Sequence, residues 1–142
     1  MQPKAPPPHI QLITPATPAE FQATRQIFQE YAQQLGIDLC FQNFDTELDD
    51  LPGDYAEPQG ALLLAMVDGQ LAGCCALRPL VSSDYPNACE MKRLYVRDSH
   101  RRLGLGRQLA EAALDAARAA GITMCCWTHS PRWSLPDRCM KT

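Results

Sequence analysis

Arg101, Arg102 and Arg107 bracket two glycines, Gly104 and Gly106, at the mouth of the helix-forming run "RQLAEAALDAARAAG". Glycine near a helix start costs about 1 kcal/mol relative to alanine, so two of them need a reason. One reason is chemical. The first turn of a helix presents unpaired backbone N–H groups and the positive end of the macrodipole, which together suit a phosphate. Glycine lets that backbone approach a pyrophosphate with no Cβ in the way, and arginines add charge-assisted hydrogen bonds. The other reason is architectural: the glycines shape a tight strand-to-helix turn and the arginines are solvated. Spacing alone leaves both readings open. It does exclude two phosphate loops, since neither G-x-x-x-x-G-K-[ST] nor a third glycine in a first βαβ unit is present.

The elements that must position this turn follow from periodicity. "HIQLITPA" (9–16) alternates as a strand. "TPAEFQATRQIFQEYAQQLG" follows as a helix, with Thr17 as N-cap, Pro18 at the first helical position and Gly36 as the stop. "FQNFDTELDDLPG" reads as a second, shorter helix. "ALLLAMV" and "LAGCCALRPL" flank an Asp68-Gly69 turn signal and form a hairpin. "CEMKRLYVR" (89–97) is another strand. The glycine turn and its helix come next, with Leu109, Ala113, Ala116, Ala117 and Ala120 on one face, and "ITMCCW" is a final strand. The order β-α-α-β-β-β-α-β makes a mixed α/β (α+β) fold in one domain spanning 9–124, after a Pro-rich leader (1–8).

Composition narrows the function. A net charge of −3 supplies no global basic field for nucleic acid, so any anion site is local. The run from Ala61 to Val67 is too short to span a bilayer, and "MQPKAPPPH" lacks the apolar stretch of a signal peptide. The seven cysteines are odd in number and contain no C-x-x-C. Adjacent pairs such as Cys74-Cys75 alternate faces in a strand, poorly placed to bond each other or share a metal. They read as buried small hydrophobes in a reducing, cytoplasmic setting.

"LYVRDSHRRLGLGRQLAEAAL" resembles the acetyl-coenzyme A binding segment of the GNAT superfamily of N-acyltransferases. The signature [QR]-x-x-G-x-[GA] is matched by Arg101, Gly104 and Gly106, and the L-x-V strand end before it by Leu94 and Val96. The likeness covers about residues 9 to 124. It implies a mainly antiparallel mixed sheet flanked by helices, acetyl-coenzyme A as co-substrate, no metal, and acetyl transfer to a primary amine of a small molecule or peptide. It further implies that backbone amides from Arg101 or Arg102 through Leu103, Gly104, Leu105, Gly106 and Arg107 cradle the pyrophosphate. Leu94, Tyr95 and Val96 would border the pantetheine arm and the thioester. Neither nucleic acid nor membrane is expected as a partner; self-association into a homodimer stays open. A non-catalytic acyl-coenzyme A binder is the rival reading.

The resemblance implies a base, and Glu90, six residues before Val96, is the candidate. Its competing reading is a surface carboxylate paired with Lys92. Strand alternation puts Glu90 on one face with Lys92, Leu94 and Val96, and Arg93 and Tyr95 on the other. Cys89 reads as a packing residue and His100 as a loop residue. Phe41, Phe44 and Tyr55 would wall the acceptor site or pack in the core. Asp45, Glu47, Asp49 and Asp50 would attract a cationic amine or form a solvated helix face.

After Met124 the likeness ends in this reading. The family would continue with a helix carrying a tyrosine and two more strands, whereas the chain runs "CCWTHSPRWSLPDRCMKT", with Pro131 and Pro136 opposing a helix. Read in a shifted frame, the codons of Cys125 to Thr142 allow "LLDTLTEMESARQVYED", which suits the family. The expectation is therefore a frame-shifted, atypical tail (125–142), with the last helix and strands missing and the fifth strand left unpaired on its outer edge.

Overall fold

The computed structural model describes residues 8–35, 44–57, 60–80, 87–101, 103–127 and 138–141. Its strands and helices are β1 (Ile10–Ile13), α1 (Pro18–Leu35), α2 (Phe44–Asp49), β2 (Ala61–Val67), β3 (Gln70–Leu80), β4 (Ala88–Val96), α3 (Leu105–Ala119), β5 (Met124–Trp127) and β6 (Arg138–Lys141), with single 3-10 turns at Gly53–Tyr55 and Asp98–His100. The strands form one sheet in the order β1-β2-β3-β4-β5-β6. Every neighbouring pair is antiparallel except β4 and β5, which run parallel.

Local sequence signals explain most of these boundaries. At the start of α1 the Glu20 amide donates to Thr17 Oγ1 at 3.2 Å, while Glu20 Oε1 accepts from the amides of Ala16 and Thr17 at 2.9 and 3.1 Å. This reciprocal capping box satisfies donors the helix leaves orphaned. The β2–β3 hairpin turns through Asp68 and Gly69, with φ of 51° and 81°. Positive φ at both positions gives a turn whose twist matches the strands. The end of α3 is closed by Gly121 at φ 79°, with the Ile122 amide on the Ala117 carbonyl at 2.9 Å and the Gly121 amide on the Arg118 carbonyl at 3.0 Å. That is the glycine-dependent Schellman stop. The expected end of α1 at Gly36 lies outside the described residues.

The sheet is covered on both faces. α3 buries Leu105, Leu109, Ala113 and Ala117 against Ala65, Cys75, Leu77, Cys89 and Met91. On the opposite face α1 and α2 bring Ile27, Phe28, Tyr31 and Leu48 against Leu62, Leu64, Cys74 and Ala76. The small residues facing the sheet let α3 sit close to it. Cys74 and Cys75 do fall on opposite faces, each buried, and burial raises the Cys75 thiol to about 12.

The tail departs from its expected form in one respect. β5 is not left with an open outer edge, because β6 pairs along it from Met124↔Lys141 to Trp127↔Arg138. Residues 138–141 thus supply a strand where the sequence reading placed none. The physical reason is that four extended residues suffice to satisfy β5's outward-facing N–H and C=O groups, whatever their side chains.

Candidate active site

β4 is built in two unlike halves. Ala88–Met91 pairs with β3 on one side and with Met124–Trp127 of β5 on the other. Among the described residues, Lys92–Val96 has a strand partner only on the β3 side. The described part of β5 ends at Trp127, opposite Met91, and the residues of β4 that follow lead to the start of α3.

The register of β4 against β3 changes just after Lys92. Cys74 faces Tyr95 and Ala76 faces Lys92, so Arg93 and Leu94 together oppose the single residue Cys75. Arg93 is the bulged residue, with φ 60°. A non-glycine residue in this left-handed region costs about 1–3 kcal/mol and persists only where its surroundings fix it. They do so here. Its guanidinium, 3% exposed, donates Nε and Nη2 to Glu47 at 3.1 and 3.0 Å. Tyr55 donates its hydroxyl to the same carboxylate at 2.8 Å. The Arg93 guanidinium also lies 5.8 Å from the centre of the Tyr31 ring, and the Cys74 thiol donates to the Arg93 carbonyl at 3.1 Å. Burial beside Glu47 raises Tyr55 above the usual phenol range. Four residues along, Arg97 makes a second fork, to Glu30 of α1 at 2.8 and 2.6 Å, and reaches the Leu71 carbonyl at 2.9 Å.

The bulge overturns the expected side-chain phase. Glu90 stands opposite Arg78 on β3, while Leu77 and Met91 face α3. Glu90 and Lys92 therefore lie on the α1–α2 face. Leu94 and Val96 pack with the α3 cluster, and Tyr95 packs on the α1 side against Tyr31, ring centres 6.1 Å apart. Uninterrupted alternation would have put Glu90 with Leu94 and Val96. The extra residue reverses the parity, so Glu90 instead shares its face with Arg93. Glu47, read from sequence as a lure for cations or a solvated carboxylate, is turned inward to hold Arg93. The side chains of Phe44 and Asp45, and all of Phe41, lie outside the described residues; Tyr55 is core, 3% exposed.

Glu90 is 8% exposed. Its Oε1 accepts from Arg78 Nε at 3.1 Å and lies 3.7 Å from Lys92 Nζ. The pairing with Lys92 is thus present, but the carboxylate is buried rather than on the surface. Cys89 is fully buried on the α3 face, a packing position. His100 Nδ1 shares a 2.9 Å hydrogen bond with Ser99 Oγ in the turn before the glycines.

At the glycine turn, Gly104 is the N-cap of α3 at φ 73° and gives the helix no side-chain cap. The first helical bond runs from the Gln108 amide to the Gly104 carbonyl at 3.1 Å. No described residue accepts from the amides of Gly104, Leu105, Gly106 or Arg107, as is usual for the first turn of a helix. A Cβ on Gly104 would meet nothing within 4 Å, and one on Gly106 would reach Val96 Cγ2 at 3.9 Å. Leu105 itself is buried, and Leu103 packs at the edge of the α3 cluster. The arginine side chains are engaged elsewhere. Arg101 donates Nε to the Val96 carbonyl at 3.1 Å and pairs with Asp98; Arg107 pairs with Glu111 at 3.0 Å; Arg102 lies outside the described residues. What this turn offers an anion is backbone first.

Gly73 on β3 went unnoticed in the sequence reading. A Cβ there would sit 2.8 Å from the Tyr95 carbonyl and 3.2 Å from Leu109 Cδ1, so only glycine lets β3, β4 and α3 close together at this point. A glycine interrupting a strand pattern was the available signal. Among the described residues no His, Cys, Asp and Glu group could hold a metal ion, and no helix is long and apolar enough to cross a membrane.

Comparison with known proteins accords with this geometry. Residues 21–133 match the model of the acetyltransferase (GNAT) family, nine residues beyond the point at which the sequence reading ended the likeness. An uncharacterized N-acetyltransferase of Schizosaccharomyces pombe is 36% identical over 118 residues, covering 82% of this chain and 71% of that protein. The uncharacterized N-acetyltransferase YjgM of Escherichia coli is 31% identical over 108 residues, 76% of this chain and 63% of its own length. Among solved structures, a GNAT acetyltransferase of Brucella melitensis in complex with acetyl-CoA superposes with a TM-score of 0.70 at 20% identity, covering 94% of this chain and 88% of that one. The PaiA N-acetyltransferase of Thermoplasma acidophilum in complex with coenzyme A gives 0.67 at 18% identity, over 89% and 82%. The family model spans most of the chain and the Schizosaccharomyces pombe relative matches it over most of both lengths, so the chain belongs to the GNAT family of acetyltransferases.

Proposed function

We propose that the protein transfers an acetyl group from acetyl-coenzyme A to a primary amine of a small molecule or peptide, directly and without a covalent enzyme intermediate. One observation carries this reading: the stretch Lys92–Val96 of β4, which has no described strand partner on the side away from β3, leads into a glycine-capped helix start at which no described residue accepts from the amides of Gly104–Arg107. A pyrophosphate on those amides would direct a pantetheine arm along Leu94, Tyr95 and Val96 toward Glu90 and Lys92. Acetyl-coenzyme A and coenzyme A in the complexes of the two similar structures support the choice of co-substrate. Buried free thiols at Cys74, Cys75, Cys89 and Cys125 support a cytoplasmic setting.

In the reaction the amine nitrogen bonds to the thioester carbonyl carbon, and the resulting oxyanion is met by backbone N–H donors on the exposed side of β4. Glu90 takes the proton that the attacking amine must shed. The C–S bond then breaks, and coenzyme A leaves as thiolate to be protonated by water. Placement supports Glu90: it is a buried carboxylate near the middle of β4, on the face away from α3.

Thiol release from acetyl-coenzyme A tests the whole reading, with a panel of amines as acceptors. Turnover is expected with at least one amine, and Glu90→Gln should lower kcat by about 100-fold or more while leaving acetyl-coenzyme A affinity unchanged. Calorimetric binding of acetyl-coenzyme A without turnover of any amine would instead favour a non-catalytic acyl-coenzyme A binder.

A further inference from the structure

We infer that Lys92 and Arg78 form a carboxylate-binding subsite beside Glu90, so that the acceptor is a zwitterionic, amino-acid-like amine. The inference rests on the acetyl-transfer reading above and names the substrate class of that site. It starts from a charge imbalance. On the α1–α2 face of β3 and β4, Arg93 is matched by Glu47 in a two-pronged bond. The remaining carboxylate, Glu90, has two cations on one oxygen, Arg78 at 3.1 Å and Lys92 at 3.7 Å. Among the described residues this face therefore holds three cations against two carboxylates.

The surplus is not dissipated into water. The Lys92 side chain is 14% exposed. Burial lowers its pKa, and the positive charges of Arg93 and Arg78 lower it further despite Glu90 and Glu47. An ammonium in that position lacks full compensation, and a ligand carboxylate would supply it. Arg78 is 36% exposed, so its guanidinium remains reachable from outside.

The bulge explains how the cations come to be adjacent. By placing Arg93 on the same face as Lys92, it removes the alternation that would send neighbouring charges to opposite sides of the sheet. A ligand whose ammonium meets Glu90 and whose carboxylate meets Lys92 and Arg78 completes an alternating set of charges. A zwitterion leaves the net surplus at one while giving each added or buried charge an opposite neighbour; an ammonium with no anionic group would raise the surplus to two, and a polycationic amine would raise it further.

The test is calorimetric binding of L-amino acids and their α-carboxamides to the full chain in the presence of coenzyme A, at about pH 6.5, below the α-amino range of roughly 7.7–8. The acid of at least one pair should bind about tenfold or more tightly than its amide, the effect of one charge-assisted contact. Lys92→Met should abolish that preference, and Lys92→Arg should retain it; Arg78→Met should weaken it as an independent check. Equal or tighter binding of the carboxamides, no binding by any amino acid, or a preference surviving in Lys92→Met would overturn the subsite. Thiol release from acetyl-coenzyme A, followed in parallel, keeps the two readings apart. Amino-acid binding without thiol release leaves the subsite standing and defeats acetyl transfer, whereas turnover of carboxylate-free amines alone does the reverse.

Discussion

The two halves of β4 solve the same structural problem by different means. Ala88–Met91 is a central strand with a neighbour on each side, held by main-chain hydrogen bonds that ask little of its side chains. Lys92–Val96 has, among the described residues, a strand partner only on the β3 side, and is held by two arginine forks and a glycine contact: Arg93 to Glu47, Arg97 to Glu30, and Gly73 beneath Tyr95. Here side chains do much of the holding that main-chain pairing does in the first half. Stability in the first half is therefore spread over the backbone, while in the second it is concentrated in a few replaceable groups.

The sharpest way to break that contrast is Glu47→Ala. It strands the buried Arg93 guanidinium, and the loss of one partner from such a pair costs about 3–5 kcal/mol. Chemical denaturation should show a loss of that size, far larger than for an alanine replacing exposed Asp49. Gly73→Ala comes next. Its Cβ would push on the Tyr95 carbonyl at 2.8 Å, and overpacking of this kind costs about 1–3 kcal/mol; acetyl-coenzyme A affinity, by titration, should fall as well because the far half of β4 moves. Gly104→Ala meets open space but must hold φ 73°, at about 1–2 kcal/mol. Its cofactor affinity should fall by a larger factor than its stability explains; affinity unchanged alongside reduced stability would make the glycine purely architectural.

The smallest effect lies outside β4. Hydrogen bonds from the amides of Ala16 and then Thr17 hold the Glu20 carboxyl below the ordinary glutamate value. A carboxylate depressed in the folded state lends stability that is present above the unfolded value and lost as pH falls through the folded one. Acid titration of unfolding should therefore show a component disappearing below about pH 4.5, absent in Glu20→Gln.

These contrasts mark what the sequence could disclose. The helix start at Thr17, the Asp68-Gly69 turn, the Gly121 stop and the glycine turn before α3 depend on residues a few positions apart, so spacing reveals them. The parity of β4 does not. Arg93 bulges because of Glu47, forty-six positions earlier, and because Cys75 opposes two residues at once. Alternation counted along "CEMKRLYV" assumes the regularity that such long-range contacts override. Glu47 was misread for the same reason, since its acidic neighbours suggest solvent while its partner lies on a distant strand. β6 was missed because its four residues carry no alternating pattern of their own.

The left-handed kink at Arg93 also makes the strand's length matter as much as its composition. Upstream it is the odd-numbered residues, Cys89 and Met91, that face α3, and downstream the even-numbered ones, Leu94 and Val96. Dropping a single residue at that junction would keep nearly every amino acid yet turn the side chains of one half to the opposite layers. Homologues should therefore tolerate exchanges of residue type along this strand more readily than gain or loss of one position in it.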